Sequence, residues 1–198
     1  EKVGLPFWVE ARPESITEEK VELLMETGCE GISIGVESGN VGLRKNVLGR
    51  NVNDRTILKA FELLRKSGIR ISANNIIGFP TETREMIFDT IHLDRELDPD
   101  GVMVSFFSPY KGATLRRMCE DLGYIEDDEI AGDYRIGPTM DMPQMSAKEL
   151  VGIHRTFPLY VKFPESEWKH IRLAEQDTPE GNAAFREYSD RYSEMFMN

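Results

Sequence analysis

Four short apolar runs end in side chains that suit a polar ligand. Glu10 closes the first and is followed by Ala11, Arg12 and Pro13, while Glu37-Ser38-Gly39 closes the second. The third carries Asn74 and Asn75 and leaves through Gly78-Phe79-Pro80; the fourth carries Ser105 and leaves through Ser108-Pro109-Tyr110. Carboxylates, amides and hydroxyls, with the guanidinium of Arg50, can between them meet hydroxyl, amine and carboxylate groups on a ligand. One polar run-end carries no message. Four at corresponding positions point to a ligand lying across a common rim. Each residue also has an ordinary structural reading: Glu10 or Glu37 can pair with a nearby Arg or cap a helix, Gly78-Phe79-Pro80 is a tight turn, and Arg50 is a surface cation. The histidines offer less, since His92, His154 and His170 all fall on helical patterns and none stands at a run-end.

The elements that position these groups repeat. Apolar runs at 5–9, 31–36, 69–77 and 101–107 alternate with helical patterns. The first helix is predicted from Thr17 as N-cap, with Glu18 and Glu19 in its first turn, a stripe of Val21, Leu24 and Met25, and Gly28 as its stop. Asn53 opens the next, with Ile57, Ala60, Phe61 and Leu64 on one face and Gly68 at its end. Thr83 opens a third, carrying Ile87 and Ile91 and stopped by Asp98-Pro99. Strand–helix–strand at about 30-residue spacing marks βαβ crossovers and a parallel sheet. The runs read as nearly continuous in apolar residues, as expected for strands buried on both faces. Four strands are too few for an eight-stranded barrel, so the α/β fold class is either an open parallel sheet or an incomplete parallel (β/α) barrel whose other strands are missing here.

After residue 125 the pattern changes. Residues 126–145 open with the acidic run Glu126-Asp127-Asp128-Glu129, followed by a stretch rich in Gly, Pro and Asp, and are expected to be a linker. Ser146 and Glu149 form a capping box before a helix with Leu150, Ile153 and Phe157 on one face, which Pro158 is expected to kink or break. Helices around Trp168 and Ile171, and after Thr178-Pro179 with Phe185, Tyr188 and Tyr192, complete a helical extension over 146–198.

Composition narrows the function. The 198 residues carry a formal charge of −11, which disfavours a phosphate backbone as partner, and no dense Lys/Arg cluster offsets it. No apolar run approaches the roughly 18 residues of a membrane helix. The two cysteines, Cys29 and Cys119, are far apart and have no His at metal spacing, which argues against a disulfide framework or a zinc site and for two small buried side chains. A cytoplasmic protein is the expectation. The first residue is Glu, not Met, so the chain is expected either to have been processed or to be cut from something longer.

Phe7-Trp8-Val9-Glu10-Ala11-Arg12-Pro13, Ile34-Gly35-Val36-Glu37-Ser38-Gly39 and Leu48-Gly49-Arg50 stand in a telling order. They are followed by Asn74-Asn75-Ile76-Ile77-Gly78-Phe79-Pro80-Thr81-Glu82-Thr83 and by Phe107-Ser108-Pro109-Tyr110-Lys111-Gly112. The ordered set resembles the radical S-adenosylmethionine superfamily, in the second part of its partial (β/α)6 barrel, and residues 1–125 would form that part. The resemblance implies that Glu10 approaches the cofactor from beneath and that Glu37 and Ser38 face its ribose and methionyl part. Arg50 would pair with the methionyl carboxylate, a bidentate contact. Asn74 stands where some relatives carry a ribose-binding Asp, Ile77 would pack on adenine, and the backbone near Phe106 and Phe107 would read the adenine edge.

One feature of that family is missing. Its four-iron–four-sulfur cluster is held by a CxxxCxxC loop, and these residues contain no such motif. Thiolates are the ligands of such clusters, so the expectation is a piece of an iron–sulfur oxidoreductase-type enzyme that is inactive alone. Its partners would be a small-molecule substrate, the upstream part of its own chain and an electron donor, with neither nucleic acid nor membrane. The stretch Phe157-Pro158-Leu159-Tyr160-Val161-Lys162-Phe163-Pro164 is similar to the region after the barrel in cobalamin-binding members, including those like anaerobic magnesium-protoporphyrin ester cyclases. That implies cobalamin in an upstream domain. A cluster-free (β/α) lyase or isomerase, or a non-catalytic domain binding a nucleotide-like ligand, stays open.

Overall fold

The computed structural model describes residues 4–126, 132–133, 135–140 and 142–196. Four strands form one sheet in the order β1 (Phe7–Ala11), β2 (Cys29–Glu37), β3 (Arg70–Ile77) and β4 (Gly101–Phe106), each parallel to the next. Every parallel neighbour requires a crossover. These are α1 (Glu18–Thr27), α2 (Val41–Asn46) with α3 (Asp54–Ser67), and α4 (Arg84–Leu97). The expected α/β piece of a parallel barrel is what forms.

Local chemistry sets the helix ends. The side chains of Thr17, Asn53 and Thr83 accept the backbone N–H of Lys20, Thr56 and Met86, and Gly28 and Gly68 end α1 and α3 in the left-handed region. Asn53 also accepts the Thr56 hydroxyl at 3.0 Å. Asn53→Ala should therefore cost about 1 kcal/mol, read as a lower urea midpoint at unchanged slope. Some boundaries shift from expectation. The first strand starts at Phe7, leaving Leu5 exposed, and Met25 of the predicted stripe is 51% exposed while Val21 is buried.

The strands correct one reading of the sequence. They alternate. Ile32, Ile34 and Val36 of β2 and Ile71, Ala73 and Ile77 of β3 are buried beneath the helices, packed with Ile57, Phe61 and Leu64 of α3 and with Ile87 and Ile91 of α4. Ser33, Gly35, Glu37, Asn74 and Ile76 take the other face, which is only partly buried. Successive side chains point to opposite sides, so one sheet face makes the core and the other is left free to form a site.

The chain continues through α5 (Thr114–Asp121), α6 (Ala147–Lys162), α7 (Trp168–Ala174) and α8 (Pro179–Phe196). Leu150, Ile153 and Phe157 of α6 are buried in one cluster with Ile77, Ile91 and Phe106. Met140, Met142 and Met145, from the segment read as a linker, enter the same cluster. Asp127, Asp128 and Glu129 of the acidic run lie outside the described residues. Pro158 does not break α6, which runs through it. Leu159, Tyr160, Val161 and Phe163 beyond it are all buried, and Arg95 donates to the carbonyls of Tyr160, Val161 and Phe163 at 2.7, 2.9 and 2.6 Å, so packing outweighs the lost helical bond. Arg84 adds a bidentate pair to Glu175 at 2.9 and 2.6 Å. His154 covers the edge of β4, with Nε2 3.1 Å from the Val104 carbonyl and its ring stacked on Phe106 at 4.2 Å. Burial pushes its pKa down, and the bond to the Val104 carbonyl opposes the shift. Among the described residues no helix is long and apolar enough to cross a membrane.

Candidate functional site

A cleft of about 1180 Å³ opens at the C-terminal ends of the four strands, on the sheet face that the helices leave free. Ligands of parallel α/β folds collect at that end. Of the residues to which the resemblance gives cofactor contacts, Glu10, Glu37, Arg50, Asn74, Phe106 and Phe107 line it.

Glu37 and Arg50 form its polar centre. Arg50 Nη1 donates to a Glu37 carboxylate oxygen and to the Gly35 carbonyl, both at 3.1 Å, while Nη2 lies 3.8 Å from Glu14. Arg50 Nε and Nη2 are buried with no hydrogen-bond partner among the described residues. Burial pushes the Glu37 carboxyl up from its ordinary pKa, and the Arg50 and then the Arg12 guanidinium pull it back. A Cβ at position 35 would sit 2.7 Å from the Glu37 carboxylate, so Gly35 is what leaves this pair its room. Gly35→Ala should displace Glu37 and weaken whatever binds here by about tenfold, a cost of order 1 kcal/mol, read by titrating the ligand into both proteins.

The rest of the cleft divides by polarity. Asn74 projects into it and accepts the Ser72 hydroxyl at 3.3 Å. Beside it Phe79 and Phe107 hold their rings 5.2 Å apart and tilted by 40°, an apolar wall. Phe107 N–H donates to the Ile77 carbonyl at 2.8 Å, which fastens this wall to β3.

Two expected residues stand elsewhere. Ile77 is fully buried in the core under α4 and α6, and Ile76 takes the cleft position instead. Asn74 faces the cleft, so period-two alternation sends Asn75 and Ile77 to the helices; Asn75 there donates to Asp94 at 2.6 Å. Ser38 is fully buried and turned to α4, its hydroxyl 3.4 Å from that of Thr90. Phe106 borders the cleft, but its ring is spent on His154. Glu14, Ser33 and Ile76 also line the cleft, with no role expected of them from sequence. Alternation from Asn74 would have found Ile76, and alternation from Glu37 would have found Ser33.

The residues present suit a ligand carboxylate and do not suit an iron–sulfur cluster. Both cysteines are buried thiols: Cys29 Sγ donates to the Gly31 carbonyl and Cys119 Sγ to the Leu115 carbonyl. Burial pushes the Cys119 thiol up to about 11, away from the thiolate a metal needs. Among the described residues no group of His, Cys, Asp and Glu could hold a metal ion.

Comparison with known proteins agrees with this geometry. The family model described as Radical SAM superfamily matches residues 1–93. An uncharacterized methyltransferase of Pyrococcus horikoshii is 27% identical over 115 residues, 58% of this chain and 25% of that protein. The tRNA-2-methylthio-N(6)-dimethylallyladenosine synthase of Anoxybacillus flavithermus is 26% identical over 130 residues, 61% of this chain and 24% of that protein. The chain thus spans about a quarter of the length of these curated relatives. In fold, the cobalamin-dependent S-adenosylmethionine radical enzyme OxsB, solved with aqua-cobalamin bound, matches with a TM-score of 0.57 at 13% identity, over 96% of this chain and 34% of that one. The sequence match thus runs through residues 1–93, where this chain is similar to the Radical SAM superfamily, and the parallel sheet is similar in fold to that of OxsB.

Proposed function

We propose that this chain forms one wall of the S-adenosylmethionine and substrate pocket of a radical S-adenosylmethionine enzyme of iron–sulfur oxidoreductase type. The observation that carries the reading is Arg50, a partly buried cation in the cleft whose Nε and Nη2 lack hydrogen-bond partners among the described residues. A guanidinium edge of this kind fits a carboxylate, which the methionyl part of the cofactor bears. Arg50 would hold that carboxylate, Glu37 the neighbouring amine or ribose, and Asn74 a ribose hydroxyl. Ile76 and the Phe79–Phe107 wall would exclude water beside adenine. When bound, S-adenosylmethionine supplies the superfamily's means of abstracting hydrogen from substrate. The contribution of these residues is binding, orientation and shelter.

The cluster ligands would come from residues outside these 198, so the chain alone would bind the cofactor without turning it over. Cobalamin use by the intact protein is supported by the fold likeness to OxsB, which extends through the helical extension. A small-molecule substrate suits a chain with net charge −11. A cluster-free lyase or isomerase would need a Lys or His beside Glu10 and Glu37, and the described lining of the cleft has neither.

The test is the full-length protein. Its sequence should contain a CxxxCxxC motif upstream of these 198 residues. Purified without air and reconstituted, it should be brown and should cleave S-adenosylmethionine when reduced. A colourless protein that cleaves nothing after reconstitution with iron and sulfide would overturn the proposal.

A further inference from the structure

The residue at the centre of the cleft is held in a costly conformation. Glu37 has φ +67°, in the left-handed region that non-glycine residues avoid. Ser38 N–H donates to the Val36 carbonyl at 2.9 Å, closing a three-residue γ-type turn around it. The ladder to β3 shifts register at the same place, between Gly35 and Glu37. Such a turn persists only where its surroundings fix it.

What fixes it lies on the far side of the loop, on α4. Thr90 is fully buried, and its Oγ1 accepts the backbone N–H of Gly39 at 2.8 Å. The Ser38 hydroxyl, also fully buried, lies 3.4 Å from the same oxygen and accepts the Asn40 N–H at 3.2 Å. Thr90 in turn donates to the Met86 carbonyl at 3.3 Å. The accounting closes: one hydroxyl proton goes to Met86, and its two lone pairs take Gly39 N–H and Ser38 O–H. The fit is also steric. A Cβ at position 39 would stand 2.3 Å from the Asp89 carbonyl oxygen and 2.5 Å from Thr90 Cα, so the loop can lie this close only through glycine. Asn40 Nδ2 adds a bond to Asp89 at 2.7 Å.

We propose that Thr90 is a positioning residue: its hydroxyl latches the Ser38-Gly39 backbone to α4 and so holds the strained Glu37 turn that aims the carboxylate at Arg50. Thr90 touches no ligand and lies outside the cleft lining. The latch rests on the proposed function for the identity of the ligand, and on the geometry alone for its effect on Glu37. It also gives the buried Ser38 a role, as the middle of the latch instead of a ligand contact.

The experiment reads the Glu37 carboxyl directly, by carbon NMR through a pH titration of the 198-residue protein, with the melting temperature taken alongside. Thr90→Val keeps shape and removes the hydroxyl; Thr90→Ser keeps the hydroxyl. Burial dominates the upward displacement of Glu37, with the Arg50 and Arg12 guanidiniums opposing it. A released turn lets the carboxylate reach water, so Thr90→Val should move its titration down, and Thr90→Ser should restore it. Both variants lose some thermal stability, so melting alone does not decide. A Thr90→Val protein that melts lower but titrates Glu37 as the wild type does would overturn the latch. If Thr90→Val does not fold, Ser38→Ala must show a downward shift, and no shift there overturns it equally. S-adenosylmethionine added to the same samples separates the two claims. A Glu37 shift with no binding to wild type keeps the latch and sinks the ligand; binding that Thr90→Val leaves unweakened sinks the latch.

Discussion

Glu82→Gln should leave stability nearly unchanged at pH 5 and raise it progressively toward pH 8, by on the order of several kcal/mol. Glu82 is fully buried; Oε2 accepts the N–H groups of Gly78 and Phe79 at 2.6 and 3.1 Å, and Oε1 is buried with no hydrogen-bond partner among the described residues. Burial pushes its carboxyl up to about 8, against an ordinary 4.5, and the two backbone bonds from Gly78 and Phe79 oppose it. The folded state therefore keeps a proton that the unfolded chain releases. Stability from this group is complete below about 4.5, falls as pH rises, and levels off above about 8. Glutamine imitates the neutral acid, and its carbonyl can keep both backbone bonds. Asp94, pushed up to about 7 by burial, lends the wild type and the variant the same slope at lower pH, so the difference between them isolates Glu82. Urea denaturation from pH 5 to 8 measures it. Parallel stability curves for the two proteins would show that Glu82 is ionised in the fold. The consequence reaches the cleft, because this turn carries Phe79 into the apolar wall.

Arg50→Ala should weaken S-adenosylmethionine binding by about 10- to 100-fold, the worth of charge-assisted hydrogen bonds at roughly 1.5–3 kcal/mol. Arg50→Lys should recover only part of that, because an ammonium is a point charge without the paired donors of a guanidinium. The fold should tolerate the loss, since the pair with Glu37 is partly exposed and such pairs contribute about 1 kcal/mol or less. The Glu37 carboxyl should move further up, because Arg50 is the largest influence holding it down. Calorimetric titration with melting curves checks both halves. Unchanged affinity in Arg50→Ala would remove Arg50 from the site.

Much of this was legible in the sequence because its signals are local. Thr17, Asn53 and Thr83 announced three helix starts, and Gly28 and Gly68 two ends, through caps that need only neighbouring residues. The four runs and their spacing gave a parallel sheet and the rim at its C-terminal end. The misplaced residues depended on direction. Ile77 and Ser38 sit within one residue of cleft positions, and a strand side chain one step out of phase belongs to the opposite face. Reading the strands as continuously apolar hid that phase, although Ser33 and Gly35 between isoleucines already displayed it. Pro158 was misjudged for another reason: the burial that carries α6 through it comes from residues distant in sequence. The Thr90 contact was likewise invisible, since it joins residues 51 apart.

The central claim is that the strand-end cleft receives S-adenosylmethionine, and amide NMR of the 198-residue protein tests it most directly, because it registers weak binding residue by residue. On titration with S-adenosylmethionine, shifts should be confined to the neighbourhoods of Glu37, Arg50, Asn74 and Phe107, and should be lost in Arg50→Ala. Shifts centred instead on the cleft at the opposite end of the strands, around Met25, Gly68 and Arg70, or no shifts at millimolar ligand, would contradict it.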